Sequence, residues 1–162
     1  MFGSAYFCEL IEKFAVTLLQ LCQGPSVELA IHCFNAIICH LPSHLDHIIQ
    51  QYLGVLELEL RSTNSEVSYR AMEGLETISE QRKELVREST IRLVAQSTFT
   101  DVRIRKLEFL FWIEVLDCEQ NEEVCSYIPL ILPKCIAALE FTAEDLANQM
   151  KIAHNTDDRY KE

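Results

Sequence analysis

Apolar residues recur at three- and four-residue spacing along most of the chain, which is the period of an α-helix with one buried face. Glycine, proline and short polar stretches interrupt this pattern at fairly regular intervals. No alternating apolar and polar run carries the turn residues of a β-hairpin, so no strand is expected. The pattern therefore predicts an all-α fold of eight helices.

The first helix is expected to turn one apolar stripe inward, made of Leu10, Phe14, Thr17, Leu18 and Leu21. Capping and helix-breaking residues set the next boundaries. They are Gly24 and Pro25 after the first helix, Ser26 and Pro42 around the second, Ser43 before the third, and Thr63 with Glu66 as a capping box before the fourth. Later helices are predicted near residues 83–97, 101–117 and 124–139, with Thr142 opening an eighth.

Eight helices can pair into four hairpins, and the chain length of 162 residues suits four repeats of about 40 residues. Val67, Leu75 and Ile78 superimpose on Val102, Leu110 and Ile113 at an offset of 35 residues. This repetition predicts an α-α superhelix, or solenoid, of about four HEAT-like helical hairpins. One domain over residues 1–162 is expected, with repeats at 4–42, 43–82, 83–118 and 122–155 and a charged tail at 156–162.

The net charge of -11 disfavours nucleic acid and anionic membranes as partners, because both are negatively charged. Residues 1–60 carry a charge of -5 and residues 107–162 a charge of -8, so the two ends are the acidic parts. Such a surface suits a basic protein partner, or serves solubility alone. Seven cysteines without a CxxC pair indicate a reduced, intracellular protein, and we expect it in the cytoplasm, the nucleus or both.

One cluster of histidines and cysteines raises the possibility of zinc: His32, Cys33, Cys39, His40, His44 and His47. Their spacing argues against it, since His32 and Cys39 are too far apart for one ion and Pro42 separates His40 from His44. The four glycines never cluster into a phosphate-binding loop, and no catalytic motif is present. We therefore expect no metal, no cofactor and no enzymatic activity.

The segment from Val102 to Leu116 is apolar around nearly its whole circumference, so neighbouring helices are expected on several sides. A buried core position for Trp112 is favoured over an exposed anchor for a peptide. Glu108 and Glu114 then need partners, and Arg103 and Lys106 are the candidates in adjacent turns.

The stretch Asp101-Val102-Arg103 through Leu107-Glu108-Phe109-Leu110-Phe111-Trp112, followed by Tyr127-Ile128-Pro129-Leu130-Ile131-Leu132-Pro133, resembles the importin-β and transportin group of karyopherin-β nuclear transport receptors. The resemblance covers about residues 85–155. It implies a segment or small relative of a receptor whose inner helices engage the Ran GTPase and basic cargo.

The resulting expectation is a non-enzymatic protein-protein interaction module, either of this transport type or a general HEAT scaffold of a phosphatase, tubulin-binding or DNA-repair complex. The chain would be part of a longer solenoid or a subunit of a complex, and the apolar first helix would pack against it. The residues expected to face the partner are Arg70, Glu73, Thr77, Glu80, Glu108 and Glu114.

Overall fold

The computed structural model describes residues 2–117 and 125–137, and side chains from residue 6 onward. All regular secondary structure among these residues is helical, with no strand among them. The helices are α1 (Phe2–Leu21), α2 (Val27–Ile37), α3 (Asp46–Glu59), α4 (Ser65–Gln81), α5 (Glu88–Gln96), α6 (Val102–Leu116) and α7 (residues 125–137). The all-α prediction is confirmed, whereas the predicted eighth helix and charged tail lie outside the described residues.

Helix starts differ from the sequence-based boundaries in several places. Asn64 caps α4, because its side chain accepts a hydrogen bond from the Glu66 amide, so the predicted capping box at Thr63 is wrong. Asp101 caps α6 in the same way, through the amide of Arg103. Ser26 occupies the cap position of α2 but its side chain makes no capping hydrogen bond.

Three short 3-10 segments replace parts of the predicted α-helices. Ile38–His40 continues α2 towards Pro42, Ser43–Leu45 precedes α3, and Lys83–Leu85 precedes α5. The predictions that Ser43 caps α3 and that the fifth helix begins at residue 83 are therefore wrong. Each 3-10 turn lies where the chain changes direction between two helices.

Contacts between alternate helices organise the molecule. Helix α4 lies between α2 and α6, and it also packs against its sequence neighbour α3. Helix α3 contacts α1 and α5, and α1 packs against α2. The large side chains enclosed between these helices form one core and include Phe34, Tyr52, Phe111 and Trp112. The predicted core position of Trp112 is confirmed, since its side chain is 1% exposed.

The buried stripes of α4 and α6 repeat at an offset of 37 residues. Val67, Leu75 and Ile78 are buried on α4, and the buried residues 37 positions later are Ile104, Trp112 and Val115. The predicted offset of 35 is wrong, because it places Leu110 and Ile113 inward, whereas both are more than 40% exposed. A shift of two residues rotates a helix by about 200°, so the two offsets select opposite faces.

Helix α1 is also rotated relative to the prediction. Of the predicted stripe only Leu18 is buried, together with Ala15 and with Cys22 directly after the helix, whereas Leu10, Phe14, Thr17 and Leu21 are exposed. Only one side of α1 faces α2 and α3. An apolar side of this first helix is therefore left open to solvent.

Candidate protein-binding surface

A buried polar node joins α2, α3 and α4. The Tyr52 hydroxyl donates its one proton to Oδ1 of Asn35 at 2.7 Å, and its oxygen also lies 3.1 Å from the carbonyl oxygen of Ile31. Gly74 of α4 lies against this pair, because a Cβ there would be 2.5 Å from Oδ1 of Asn35. Three helices thus meet where glycine permits close approach and every polar atom of Asn35 has a partner.

Asn35 of this node also binds two residues in the middle of the exposed face of α4. Nδ2 of Asn35 donates to the carbonyl of Arg70 at 3.0 Å and to Oε2 of Glu73 at 3.2 Å. Arg70 in turn forms an ion pair with Glu73 at 3.1 Å, one helical turn away. Two of the predicted partner-facing residues are therefore held together by a residue of the neighbouring helix, with side chains about one-quarter exposed.

An ion pair connects the amino-terminal part of α4 to that of α6. Nη1 of Arg103 lies 2.8 Å from Oε2 of Glu66, across 37 residues of sequence. The Arg103 guanidinium also covers the Tyr69 ring at 4.6 Å from its centroid and pairs with Asp101 at 2.9 Å. In this part of the surface, acidic and basic groups balance one another.

Carboxylates gather on the other half of this surface without such a balance. Burial raises the pKa of Glu76, and the neighbouring charges of Glu80, Glu114 and Glu73 raise it further. Glu73 pairs with Arg70, but no ion pair to Glu76, Glu80 or Glu114 occurs within the described residues. We call Glu73, Glu76, Glu80 and Glu114 the acidic cluster.

Apolar side chains lie on α6 beside the acidic cluster. Leu110 is 44% exposed and Ile113 is 46% exposed, and Ile113 directly precedes Glu114. Helix α6 therefore has neighbours in α4 and, through Glu108 and Lys134, in α7, as expected, but the side that carries Leu110 and Ile113 is open to solvent. Exposed apolar side chains and carboxylates of the acidic cluster are thus neighbours on this part of the surface. It therefore suits a partner that carries both apolar and cationic groups.

Glu108 does not belong to this exposed surface. Its side chain is buried, and Oε1 lies 3.0 Å from Nζ of Lys134 and 3.5 Å from Nε1 of Trp112. Lys134 also donates hydrogen bonds to the carbonyls of Val94 and Ser97 at the end of α5. The expected placement of Glu108 on the binding face is wrong, and its partner is Lys134 of α7 rather than Arg103 or Lys106.

The remaining predicted residues lie on the exposed side of α4 and α6. Glu80 is exposed, while Arg70, Glu73, Thr77 and Glu114 are partly exposed. Thr77 donates to the carbonyl of Glu73 within its own helix. Sequence reasoning missed Glu76, although its three-residue spacing from Glu73 and four-residue spacing from Glu80 could have indicated one shared face.

The histidines and cysteines do not form a metal site within the part of the chain that the structure describes: no group of three or more metal-binding side chains converges there. The thiol of Cys22 is buried, which raises its pKa to about 11 and lowers its reactivity at neutral pH. Across the same residues, no helix is both long and apolar enough to span a membrane.

Comparison with protein-family models, characterised proteins and solved structures gave no significant match to this chain. The case for a function therefore depends on the chain's own residues and geometry.

Proposed function

We propose that this chain is a non-enzymatic protein-interaction module, built as a short α-solenoid of HEAT-like hairpins, that binds a basic protein segment. The binding surface is the exposed side of α4 and α6, with the acidic cluster and the adjoining Leu110 and Ile113. The observation that carries the proposal is the concentration of four carboxylates, of which only Glu73 has an ion pair among the described residues, beside exposed apolar side chains on two neighbouring helices.

The solenoid part of the proposal is supported by long-range hydrogen bonds that recur at a nearly constant sequence separation. Asn35 reaches the Arg70 carbonyl over 35 residues, Gln50 reaches the Leu85 carbonyl over 35, and Arg82 reaches Asp46 over 36. Arg103 and Glu66 are 37 residues apart. Side chains that bind equivalent positions of the next hairpin are characteristic of stacked repeats.

The partner's basic character follows from electrostatics. The charges of Glu80, Glu114 and Glu73 help to raise the pKa of Glu76, so a cation that approaches Glu76 offsets these like charges. The Leu110 and Ile113 side chains add an apolar contact that a free cation could not use. A basic amphipathic helix or peptide satisfies both requirements, with lysine or arginine on α4 and apolar groups on α6.

The test is binding of a fluorescent helical peptide with lysines on one face and leucines on the other, followed by anisotropy at several salt concentrations. Glu80→Lys with Glu114→Lys should weaken binding about tenfold or more, since each exposed ion pair contributes ~0.2–1 kcal/mol and repulsion replaces it. Glu12→Lys is the matched control, because Glu12 is an exposed acid on α1, outside this surface. Equal affinity for all three proteins would contradict the proposed surface.

A transport-receptor version of this function adds a separate requirement. It predicts that the protein also binds Ran loaded with GTP, measured by titration calorimetry. Absence of binding at high micromolar concentration would remove that version and leave the general scaffold function, for which co-purification with a phosphatase, tubulin-binding or DNA-repair complex is the corresponding expectation.

A further inference from the structure

Arg70 brings a positive charge into the acidic part of the exposed face of α4. Its Nη1 lies 3.1 Å from Oε2 of Glu73 and 3.2 Å from Oε1, so one guanidinium nitrogen contacts both carboxylate oxygens. The two residues are three positions apart and therefore lie on the same side of the helix. Within the acidic cluster, the charge of Glu73 is thus balanced by a cation of its own helix.

A residue of the neighbouring helix α2 holds Glu73 in this orientation. Oδ1 of Asn35 accepts the proton of the Tyr52 hydroxyl, so the amide is turned with Nδ2 towards α4. Nδ2 donates to Oε2 of Glu73 at 3.2 Å and to the main-chain carbonyl of Arg70 at 3.0 Å. Because Asn35 is 8% exposed, turning its side chain away would leave buried polar groups unpaired. The position of the Glu73 carboxylate is therefore set from the core.

Both oxygens of the Glu73 carboxylate are consequently occupied by donors of this chain. Oε1 accepts from Arg70, and Oε2 accepts from Arg70 and Asn35 and lies 3.9 Å from Nδ1 of His32. The side chains of Arg70 and Glu73 are nevertheless 23% and 27% exposed. A cation from solvent can reach this place, but there it meets the positive charge of Arg70, which repels it.

The other three carboxylates of the acidic cluster differ from Glu73 in this respect. Glu76, Glu80 and Glu114 form no ion pair with any residue in the described ranges. The charges that act on Glu76 come from Glu80, Glu114 and Glu73, all of which are acidic. A cation of a partner therefore gains more from these three carboxylates than from Glu73.

The guanidinium of Arg70 can be replaced without loss of the contacts that join α2 to α4. Asn35 binds the main-chain carbonyl of Arg70, so this hydrogen bond does not depend on the side chain. Nη2 of Arg70 lies 3.8 Å from Oε1 of Glu66, beyond hydrogen-bond distance. Its Nε is buried and has no hydrogen-bond partner in the part of the chain that the structure describes. A neutral side chain at this position is compatible with the fold.

We propose that Arg70 determines how many cations of a basic partner the surface accepts, because it occupies Glu73 in place of a partner's lysine or arginine. This inference rests on the proposed function of the exposed side of α4 and α6. The partner's cations bind at Glu76, Glu80 and Glu114, and Glu73 becomes a further binding carboxylate when Arg70 is made neutral. Arg70 is thus a specificity-determining residue of the surface and not a contact for the partner.

The test is fluorescence anisotropy with the helical peptide that carries lysines on one face and leucines on the other. We expect Arg70→Gln to bind it about two- to fivefold more tightly than the wild-type protein, which is the effect of one exposed ion pair. Arg61→Gln is the matched control, since Arg61 is exposed and its loss changes the net charge equally. Arg61 precedes Ser65, the first residue of α4, which lies about 12 Å along the helix from Glu73. Screening by salt should therefore make the control effect smaller.

A peptide series in which each lysine in turn is replaced by methionine separates a local contact from the long-range field. The gain of Arg70→Gln should depend on one lysine, because one carboxylate has become available. Adding Glu73→Gln to Arg70→Gln should return the affinity to that of the wild-type protein. Circular dichroism verifies that the helices are retained, and Arg70→Met serves as a second variant if Arg70→Gln loses helix.

Equal affinity of the wild-type protein and Arg70→Gln would overturn the inference and leave the proposed function in place. So would a gain that Arg61→Gln reproduces in full, or one that is spread evenly over all lysines of the peptide, since both would indicate net charge alone. A peptide that binds none of these proteins would remove the proposed function and this inference with it.

Discussion

Adding one methyl group at Gly74 tests the packing of α2, α3 and α4 most directly. A Cβ at this position would lie 2.5 Å from Oδ1 of Asn35 and 2.9 Å and 3.0 Å from the two terminal methyl groups of Leu56. Neither neighbour can move away easily. Asn35 is bound to Tyr52, Arg70 and Glu73, and Leu56 is completely buried.

Two opposing contributions set the expected size of the effect of Gly74→Ala. Alanine favours the helix over glycine by about 1 kcal/mol. Forcing an extra carbon into a packed core costs about 1–3 kcal/mol, and disturbing the buried hydrogen bond between Tyr52 and Asn35 costs about 1–3 kcal/mol more. The unfolding free energy should therefore fall by about 1–5 kcal/mol, and the middle of this range, about 3 kcal/mol, corresponds to a decrease in Tm of about 6–12 °C for a chain of this size.

Gly54→Ala is the matched control. Gly54 lies within α3, is exposed, and has no heavy atom within 4 Å of the Cβ position. Here only the helix preference acts, so the same substitution should stabilise the protein by about 0.5–1 kcal/mol. Opposite signs for two glycine-to-alanine changes in helices are the specific expectation.

The measurement is urea and thermal denaturation of both variants, followed by circular dichroism. A second readout comes from Asn35→Ala, which removes the nearest atom, so Gly74→Ala should cost less in that background by more than about 0.5 kcal/mol. If Gly74→Ala stabilises the protein as much as Gly54→Ala, the close approach of α4 to Asn35 is refuted.

Three further outcomes can be measured on the same protein. Tyr52→Phe should lower the unfolding free energy by about 1–3 kcal/mol in urea denaturation, because it removes the buried hydroxyl that donates to Asn35 and leaves Oδ1 of Asn35 without that donor. Lys134→Met should cost about 3–5 kcal/mol by leaving Glu108 buried without its cation, with faster hydrogen exchange in α7 and partial recovery when Glu108→Gln is added. Glu76→Gln should raise the unfolding free energy by about 0.5 kcal/mol at neutral pH, because like-charge neighbours cost ~0.2–0.5 kcal/mol per pair. Because the pKa of Glu76 is raised on folding, the folded state binds a proton at this carboxylate more readily than the unfolded state. The stability that this protonation gives is lost as the pH rises above 4.5, the unperturbed pKa of the group. The stabilisation by Glu76→Gln should therefore vanish below pH 4.5.

Helical periodicity was enough to predict the all-α fold and most of the core of α4, because a buried stripe on an amphipathic helix is a local property. Val67, Leu75 and Ile78 were expected to lie inward and are buried. Helical periodicity did not identify the buried side of α6, because apolar residues surround this helix. Several sequence offsets between α4 and α6 therefore superimpose apolar residues on apolar residues. Only packing against α4 shows that Trp112 is buried whereas Leu110 and Ile113 are exposed.

The candidate surface was predicted in part. Arg70, Glu73, Thr77 and Glu80 share one side of α4 by spacing alone, and the structure places them at least partly exposed there. Glu108 could not be assigned correctly, because its partner Lys134 is 26 residues away on a different helix. No local pattern encodes the meeting of two residues at that separation.

By itself, the sequence determined the helical fold, the acidic charge and the absence of a recognisable catalytic motif, since each of these depends on composition or on spacing within a few turns. The tertiary structure decided which side of each helix is buried, through the Asn35 and Tyr52 node, the close approach at Gly74 and the Lys134 ion pair. It also decided that α1 and α7 each leave several apolar side chains exposed. The physical reason is that burial depends on which helices become neighbours, and side chains 17 to 41 residues apart in the sequence make the contacts that select them.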